Sequence, residues 1–213
     1  KAAAEGSVEL KDVETMDDAL FEPNLRAFAE RGFDLVIGIG FAQREPLERT
    51  AKEFPNVHFA IVDATVDLPN VASLLFDEHT GSFLVGAIAA RSSTTGTVGF
   101  VGGMDIPLIR RFEMGYEAGA KFVRPDVKIL SNFVGVTSDA WNNPTRGKEL
   151  GQGQYRRGAD IIFAAAGASG LGVFDAAEEM PKFAIGVDAN QNWVKPGLQV
   201  IVSIPLAENW FRV

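Results

Sequence analysis

A chain of 213 residues that is 46% hydrophobic has material for one large core or two small ones, and its net charge of -8 suits neither nucleic acid nor an anionic membrane surface, which call for clustered Lys and Arg. The absence of cysteine removes disulfides, thiolate nucleophiles and zinc–sulfur sites together. The two histidines, His58 and His79, do not form a metal-binding pair at helical spacing, and neither a cofactor nor a metal is called for.

At the start, KAAAEG (1–6) reads as a helix tail ended by Gly6, which points to a segment upstream, and Val8–Val13 as a strand. DDALFEPNLRAFAERG (17–32) is a helix closed by Gly32. DLVIGIG (34–40) is a continuous apolar run, as expected of a strand buried on both faces. Arg44–Phe54 is helical, and HFAIVDA (58–64) is another buried strand. EHTGSFLVGAIAARSS (78–93) is small and apolar nearly all round, which predicts a helix packed tightly on its neighbours. STTGTVGFVGG (93–103) gives a turn and a strand, IPLIRRFEMGYEAGAKFVRP a long helix stopped before Pro125, and VKILSNFVG (127–135) a strand. DAWNNPTRGKELGQGQYRRG is a loop and a helix. RGADIIFAAAGASGLGVFDAAEEMPKFAIGVDANQ (157–191) reads as strand, glycine-rich turn, helix, strand and acidic end, and QVIVSI is the last strand. No apolar run reaches the ~20 residues of a membrane-spanning helix, and no signal peptide is visible.

Alternating strands and helices predict an α/β fold with mostly parallel sheets. Residues 31–64 repeat the pattern of 157–191 at an offset of about 125 residues, so two doubly wound lobes are expected. The expected bounds are 1–93 for an N-terminal α/β lobe that lacks part of its sheet, 94–203 for a C-terminal lobe, and 204–213 for a segment returning toward the first. The polar RSSTTGT (91–97) is the expected hinge.

In doubly wound sheets, ligands bind at the carboxyl ends of the strands, which directs attention to GIGF (38–41) and AAAGASGLG (164–172). The spacing Gly167-x-x-Gly170-x-Gly172 is neither the dinucleotide fingerprint nor a P-loop. Each turn either approaches a ligand or merely joins strand to helix. Asp105 of FVGGMD and Asp188 of GVDANQ each follow an apolar strand, with Asp63 the echo of Asp188 in the first repeat. Carboxylates there accept from sugar hydroxyls or base N–H groups and repel phosphate, or they cap the next helix. With no clustered arginine apparent nearby, they fit a neutral, hydroxyl-rich ligand. Trp141 stands in a polar, turn-rich loop, where it either stacks on a base or sugar or plugs its own core. Phe41 carries the same two alternatives. There is no nucleophile elbow, no H-E-x-x-H and no catalytic constellation.

The segments GSFLVGAIAA, VGFVGGMDIPLIRRFEMGYEAGA, GKELGQGQYRRGADIIFAAAGASGLGV and FAIGVDANQ resemble the basic membrane protein family. These are substrate-binding lipoproteins of ABC transporters, with purine nucleoside receptors among them, and the resemblance runs over about residues 15–203. It implies a fold similar to type I periplasmic binding proteins: two α/β lobes, a hinge and a ligand in the cleft between them. It implies that Trp141 stacks on a purine, that Asp105, Gly167 and Asp188 line the cleft, and that Phe41 faces it from the first lobe. The implied partners are a purine nucleoside such as adenosine, guanosine or inosine, and an ABC transporter permease; no nucleic acid is expected. The implied location is periplasmic or otherwise extracytoplasmic, with membrane attachment through a lipid anchor outside this chain. The sequence departs from the family where a first strand and D-x-S-F-N loop would precede Lys1 and a Ser-x-x-Lys segment would follow Ile204. A small-molecule-sensing regulator on the same fold is the alternative, and a nucleoside-processing enzyme the more distant one.

Overall fold

The computed structural model describes residues 8–15, 17–195, 200–203 and 211–212. The chain forms two compact units, Lys1–Leu75 with Phe211–Val213, and Phe76–Trp210. The expected helix tail at residues 1–6 lies outside the described residues.

The first unit is a four-stranded sheet in the order β1-β2-β3-β9. Its strands are β1 (Leu35–Ile39), β2 (His58–Val62), β3 (Val71–Phe76) and β9 (Phe211–Arg212). β1 runs parallel to β2, and β2 parallel to β3. Helices α1 (Phe21–Glu30) and α2 (Arg44–Glu53) bring Leu25, Ala29, Leu47 and Ala51 onto Val36, Phe59 and Ile61 to make the core. Salt bridges at i,i+4 spacing, Arg44–Glu48 and Glu48–Lys52, line the solvent side of α2.

Two expectations are corrected here. β1 is not buried on both faces: Val36 and Gly38 point inward, while Leu35, Ile37 and Ile39 are 50%, 51% and 71% exposed. Among the described residues, α1 and α2 pack on the face that carries Val36 and leave the face of Leu35, Ile37 and Ile39 open. Val8–Val13 is not a strand but an irregular, exposed segment that pairs with no described strand. Conversely, β3 was not anticipated. VASLLF has neither clean alternation nor a β-branched majority, and parallel pairing with β2 decides its conformation.

The second unit is a five-stranded sheet ordered β5-β4-β6-β7-β8. It contains β4 (Thr97–Met104), β5 (Lys128–Gly135), β6 (Ile161–Ala165), β7 (Phe183–Gly186) and β8 (Val200–Ser203), with every neighbouring pair parallel. Period-two alternation sorts each apolar run between two cores. Val98, Phe100, Ile161, Phe163 and Ile185 face α3 (Glu78–Ser92) and α4 (Pro107–Val123). Val101, Ile162, Ala164 and Ala184 face α5 (Pro144–Arg156) and α6 (Gly170–Glu179). The order places the ends of β4, β6 and β7 side by side.

Each helix pair touches through backbone. A Cβ on Gly119 of α4 would stand 1.8 Å from the carbonyl oxygen of Phe83 on α3, and one on Gly86 of α3 would stand 1.9 Å from that of Tyr116 on α4. On the other face, Gly172 of α6 meets the carbonyl of Pro144 on α5 at a hypothetical 1.8 Å. Gly172 therefore serves helix packing rather than a phosphate.

This packing also explains where the units divide. α3 belongs with α4, so the division falls before α3 rather than at RSSTTGT. That segment is clasped inside the second unit by the buried Asp160, whose carboxylate accepts from Ser93 Oγ (2.7 Å), Thr94 N (2.7 Å), Thr94 Oγ1 (2.9 Å) and Thr95 N (3.1 Å). Burial alone would raise its pKa, but the hydrogen bonds outweigh burial and hold it below its ordinary value.

Two stability predictions follow from these contacts. Gly119→Ala lowers stability by about 2 kcal/mol despite alanine's better helix propensity, because neither backbone can give way. Gly153→Ala on α5, where nothing lies within 4 Å of the added carbon, raises it by about 0.5–1 kcal/mol. Denaturant titration of the pair checks this, and equal effects would contradict it. Asp160→Asn costs about 2 kcal/mol near neutral pH through lost charge-assisted bonds. A depressed native pKa stabilises fully above the unfolded carboxylate value of about 3.9 and fades as pH falls through the native value, so the gap between wild type and variant closes below about pH 4. Unfolding curves across pH 2–7 measure that gap.

Candidate functional site

The carboxyl ends of β4 and β6 carry glycine where a side chain would fill space, and Trp141 fills it instead. Trp141 closes a short 3-10 turn, Ser138–Trp141, that follows β5. Its ring lies so close to β4 that a Cβ on Gly103 would stand 2.3 Å from the indole. Past β6, Gly167 adopts the left-handed region at φ 55°, and a Cβ there would stand 3.2 Å from the Trp141 carbonyl oxygen and 3.6 Å from the ring. The indole covers the edge of the core that contains Phe100 and Phe163 and stays half-buried.

The loop bearing Trp141 is fixed by Ser169, at the end of the 3-10 turn Gly167–Ser169. Ser169 is fully buried, and its hydroxyl donates to the Ala140 carbonyl at 2.7 Å while accepting from Asn143 N at 2.7 Å. Its side chain therefore caps no helix and is committed as both donor and acceptor. Asn143 caps α5 by accepting from Arg146 N at 2.9 Å, so the loop is anchored at its far end as well.

Asp105 follows β4 and is exposed, but it is not an isolated acceptor. Arg110 grips it with two hydrogen bonds of 2.6 Å each and gives a third, also 2.6 Å, to the buried Glu113, which Ser131 also contacts. The guanidinium lies over the Phe133 ring, 4.5 Å from its centre. The hydrogen bonds from Arg110 hold the Asp105 carboxyl below its ordinary pKa, and the two carboxylates together raise that of Arg110. The expected absence of an arginine near these carboxylates is thus corrected. The i,i+3 spacing of Arg110 and Glu113 signalled their pairing, whereas the reach back to Asp105 and the stacking on Phe133 depend on tertiary structure. Nor does Asp105 cap α4, whose N-cap is Ile106.

Asp188 lies just past β7 with φ 64°, and Ala189 N donates to the Val187 carbonyl at 2.7 Å, so the backbone turns tightly about a non-glycine residue. Gln191 Oε1 secures this turn by accepting from Val187 N at 3.0 Å. Asp188 reaches solvent, yet surrounding protein desolvates its carboxyl and pushes the pKa above the ordinary value. No hydrogen bond or ion pair from the described residues compensates it. Asp63, its echo past β2, has the same left-handed backbone at φ 66°.

The second unit thus brings Trp141 and Gly167 into contact and sets Asp105 and Asp188 at the ends of strands in the same sheet. Phe41 belongs to the first unit, where it begins the 3-10 turn after β1 and packs against the core with Leu47 and Phe59. Sequence reasoning missed Arg110, Gly103 and Ser169. Among the described residues no group of three or more His, Asp or Glu could hold a metal ion, and no helix is long and apolar enough to cross a membrane.

Residues 1–205 match the family described as ABC transporter substrate-binding protein, PnrA-like. The chain belongs to this family. It is 39% identical over 176 residues to basic membrane protein D of Borreliella burgdorferi, across 80% of this chain and 50% of that protein. It is 34% identical over 183 residues to the ABC transporter nucleoside-binding protein BmpA of Lactococcus lactis subsp. cremoris, across 82% of this chain and 51% of that one. Among solved structures it resembles an ABC transporter solute-binding protein from Aeropyrum pernix K1, with a TM-score of 0.85 and 32% identity over 96% of this chain and 60% of that one. The fold is that of type I periplasmic binding proteins. Members of the PnrA-like family are substrate-binding components of transporters rather than enzymes. The chain spans about half the length of the curated relatives it matches.

The backbone at Asp188 predicts an unusual substitution. Asp188→Gly relieves the left-handed cost, offset in part by glycine's greater freedom when unfolded, so stability holds or rises by about 0.5 kcal/mol. Denaturant titration checks it, and a loss above about 1 kcal/mol would mean that the aspartate side chain supports the fold.

Proposed function

We propose that the chain is the ligand-receiving part of an ABC transporter receptor for a purine nucleoside such as adenosine, guanosine or inosine, acting outside the cytoplasm and handing its ligand to a permease. The observation that carries this is the half-buried indole of Trp141, laid over Gly103 and Gly167 at the ends of two adjacent strands. A fixed aromatic plane at that position is suited to stacking on a base, and stacking tolerates any purine.

The neighbouring groups favour a neutral ligand over a phosphorylated one. Asp188, paired by none of the described residues, offers a carboxylate as acceptor for sugar hydroxyls or base N–H groups, and its desolvation is offset once such donors arrive. Arg110 is already shared by Asp105 and Glu113, so this cluster forms a polar rim rather than an anion trap. The Gly167 turn lets the backbone approach the ligand closely. The printed name of the Lactococcus relative, a nucleoside-binding protein, agrees with this assignment. Attachment to the membrane is proposed to be through a lipid anchor outside this chain.

Calorimetric titration of the full-length protein with adenosine, guanosine, inosine and pyrimidine nucleosides tests the proposal. Saturable binding of at least one purine nucleoside is expected, weakened about tenfold or more by Trp141→Ala, since base stacking contributes about 1–3 kcal/mol. Asp188→Gly weakens binding while leaving the fold intact. No binding to any nucleoside would overturn the ligand assignment, and unchanged affinity in Trp141→Ala would overturn the stacking role.

A further inference from the structure

We infer that Ser169 is a positioning residue for the ligand site, whose function is to hold the Trp141 plane in place. It rests on the assignment of Trp141 as the stacking group. The geometry is specific. Ser169 ties down the loop on both sides of Trp141, donating to the carbonyl of Ala140 and accepting from the amide of Asn143. Both bonds are 2.7 Å long, and the hydroxyl is wholly shielded from water. Removing it strands the buried Ala140 carbonyl without a donor and frees the Asn143 amide, so the loop must move to satisfy them.

The same turn acts on the loop from a second direction. Gly167, two residues earlier, lies under the Trp141 carbonyl, and Gly103 lies under the ring. The indole is thus confined by bare backbone below and by the Ser169 tether beside it. The tether's own backbone is immobilised too: a Cβ on Gly147 of α5 would stand 2.0 Å from the Ser169 carbonyl oxygen. The GASGLG turn consequently has a task other than gripping phosphate or supplying a nucleophile. It converts the rigidity of the α5–α6 pair into a fixed orientation for one aromatic ring.

The experiment uses the full-length protein with every tryptophan but Trp141 replaced by phenylalanine, so that emission reports on this ring alone. Ser169→Ala is expected to shift Trp141 emission to the red and to increase its quenching by acrylamide, without any ligand. Tyr155→Phe removes a comparably buried tether, the hydroxyl bond to the Phe183 carbonyl at 2.8 Å, away from this loop, and is expected to leave the spectrum unchanged. Gly103→Ala displaces the ring directly and is expected to reproduce the shift, which keeps the test open should Ser169→Ala not fold. Purine nucleoside affinity is expected to fall about tenfold in Ser169→Ala, in keeping with one lost buried hydrogen bond. An unaltered Trp141 spectrum in folded Ser169→Ala, or a Tyr155→Phe spectrum shifted equally, would overturn the inference. A shifted spectrum with no nucleoside binding in the parent protein would sustain the positioning role and reject the nucleoside assignment.

Discussion

The indole of Trp141 occupies space that any side chain at Gly103 would claim, since a Cβ there would stand 2.3 Å from the ring. An aromatic ring can be fixed at the end of a parallel sheet only where the strand beneath is bare and the turn beside it bends the right way. Gly103 supplies the bare strand, and Gly167, at φ 55°, supplies the turn. Ser169 then locks the loop with two hydrogen bonds, the one to Ala140 fully buried. In the same sheet the Asp105–Arg110 pair stands past β4, and Asp188, which no described residue pairs, stands past β7.

The frame beneath it is stiff for a related reason. α3 meets α4, and α5 meets α6, with backbone carbonyls against glycine Cα atoms, so neither pair can slide without collision. The sheet between them is apolar on both faces, with its alternate residues divided between two cores. Asp160 closes the remaining irregular stretch by satisfying four donors of Ser93–Thr95 at once. Rigidity of this kind fixes the polar groups at the ends of the strands, and left-handed Asp188 is one point where the backbone is strained instead.

Much of this architecture could be read from the residues. The apolar runs of β2, β4 and β6, with glycine-rich or acidic residues after them, marked parallel strands and the ends at which ligands bind. The small, apolar sequence of α3 announced close packing. What escaped was whatever depends on neighbours distant in sequence. β3 takes its conformation from pairing with β2, and Val8–Val13 has strand propensity yet pairs with no described strand. β1, read as buried on both faces, shows Leu35, Ile37 and Ile39 to solvent because an apolar run records what a strand can bury, not what covers it. At the site, the acidic residues were visible as chemistry, but the pairing of Asp105 with Arg110 was not. Ser169 carried no signal of its own in the sequence, and its hydrogen bonds to a loop 26 and 29 residues earlier explain its position.

Trp141 is proposed as the surface on which a base is received. Emission from this tryptophan, recorded while the full-length protein is titrated with a purine nucleoside and separately with free ribose, tests it most directly. Stacking predicts saturable quenching by the nucleoside at the concentration where calorimetry detects binding, and none by ribose. Nucleoside binding that leaves Trp141 emission untouched would contradict the account and move the base elsewhere.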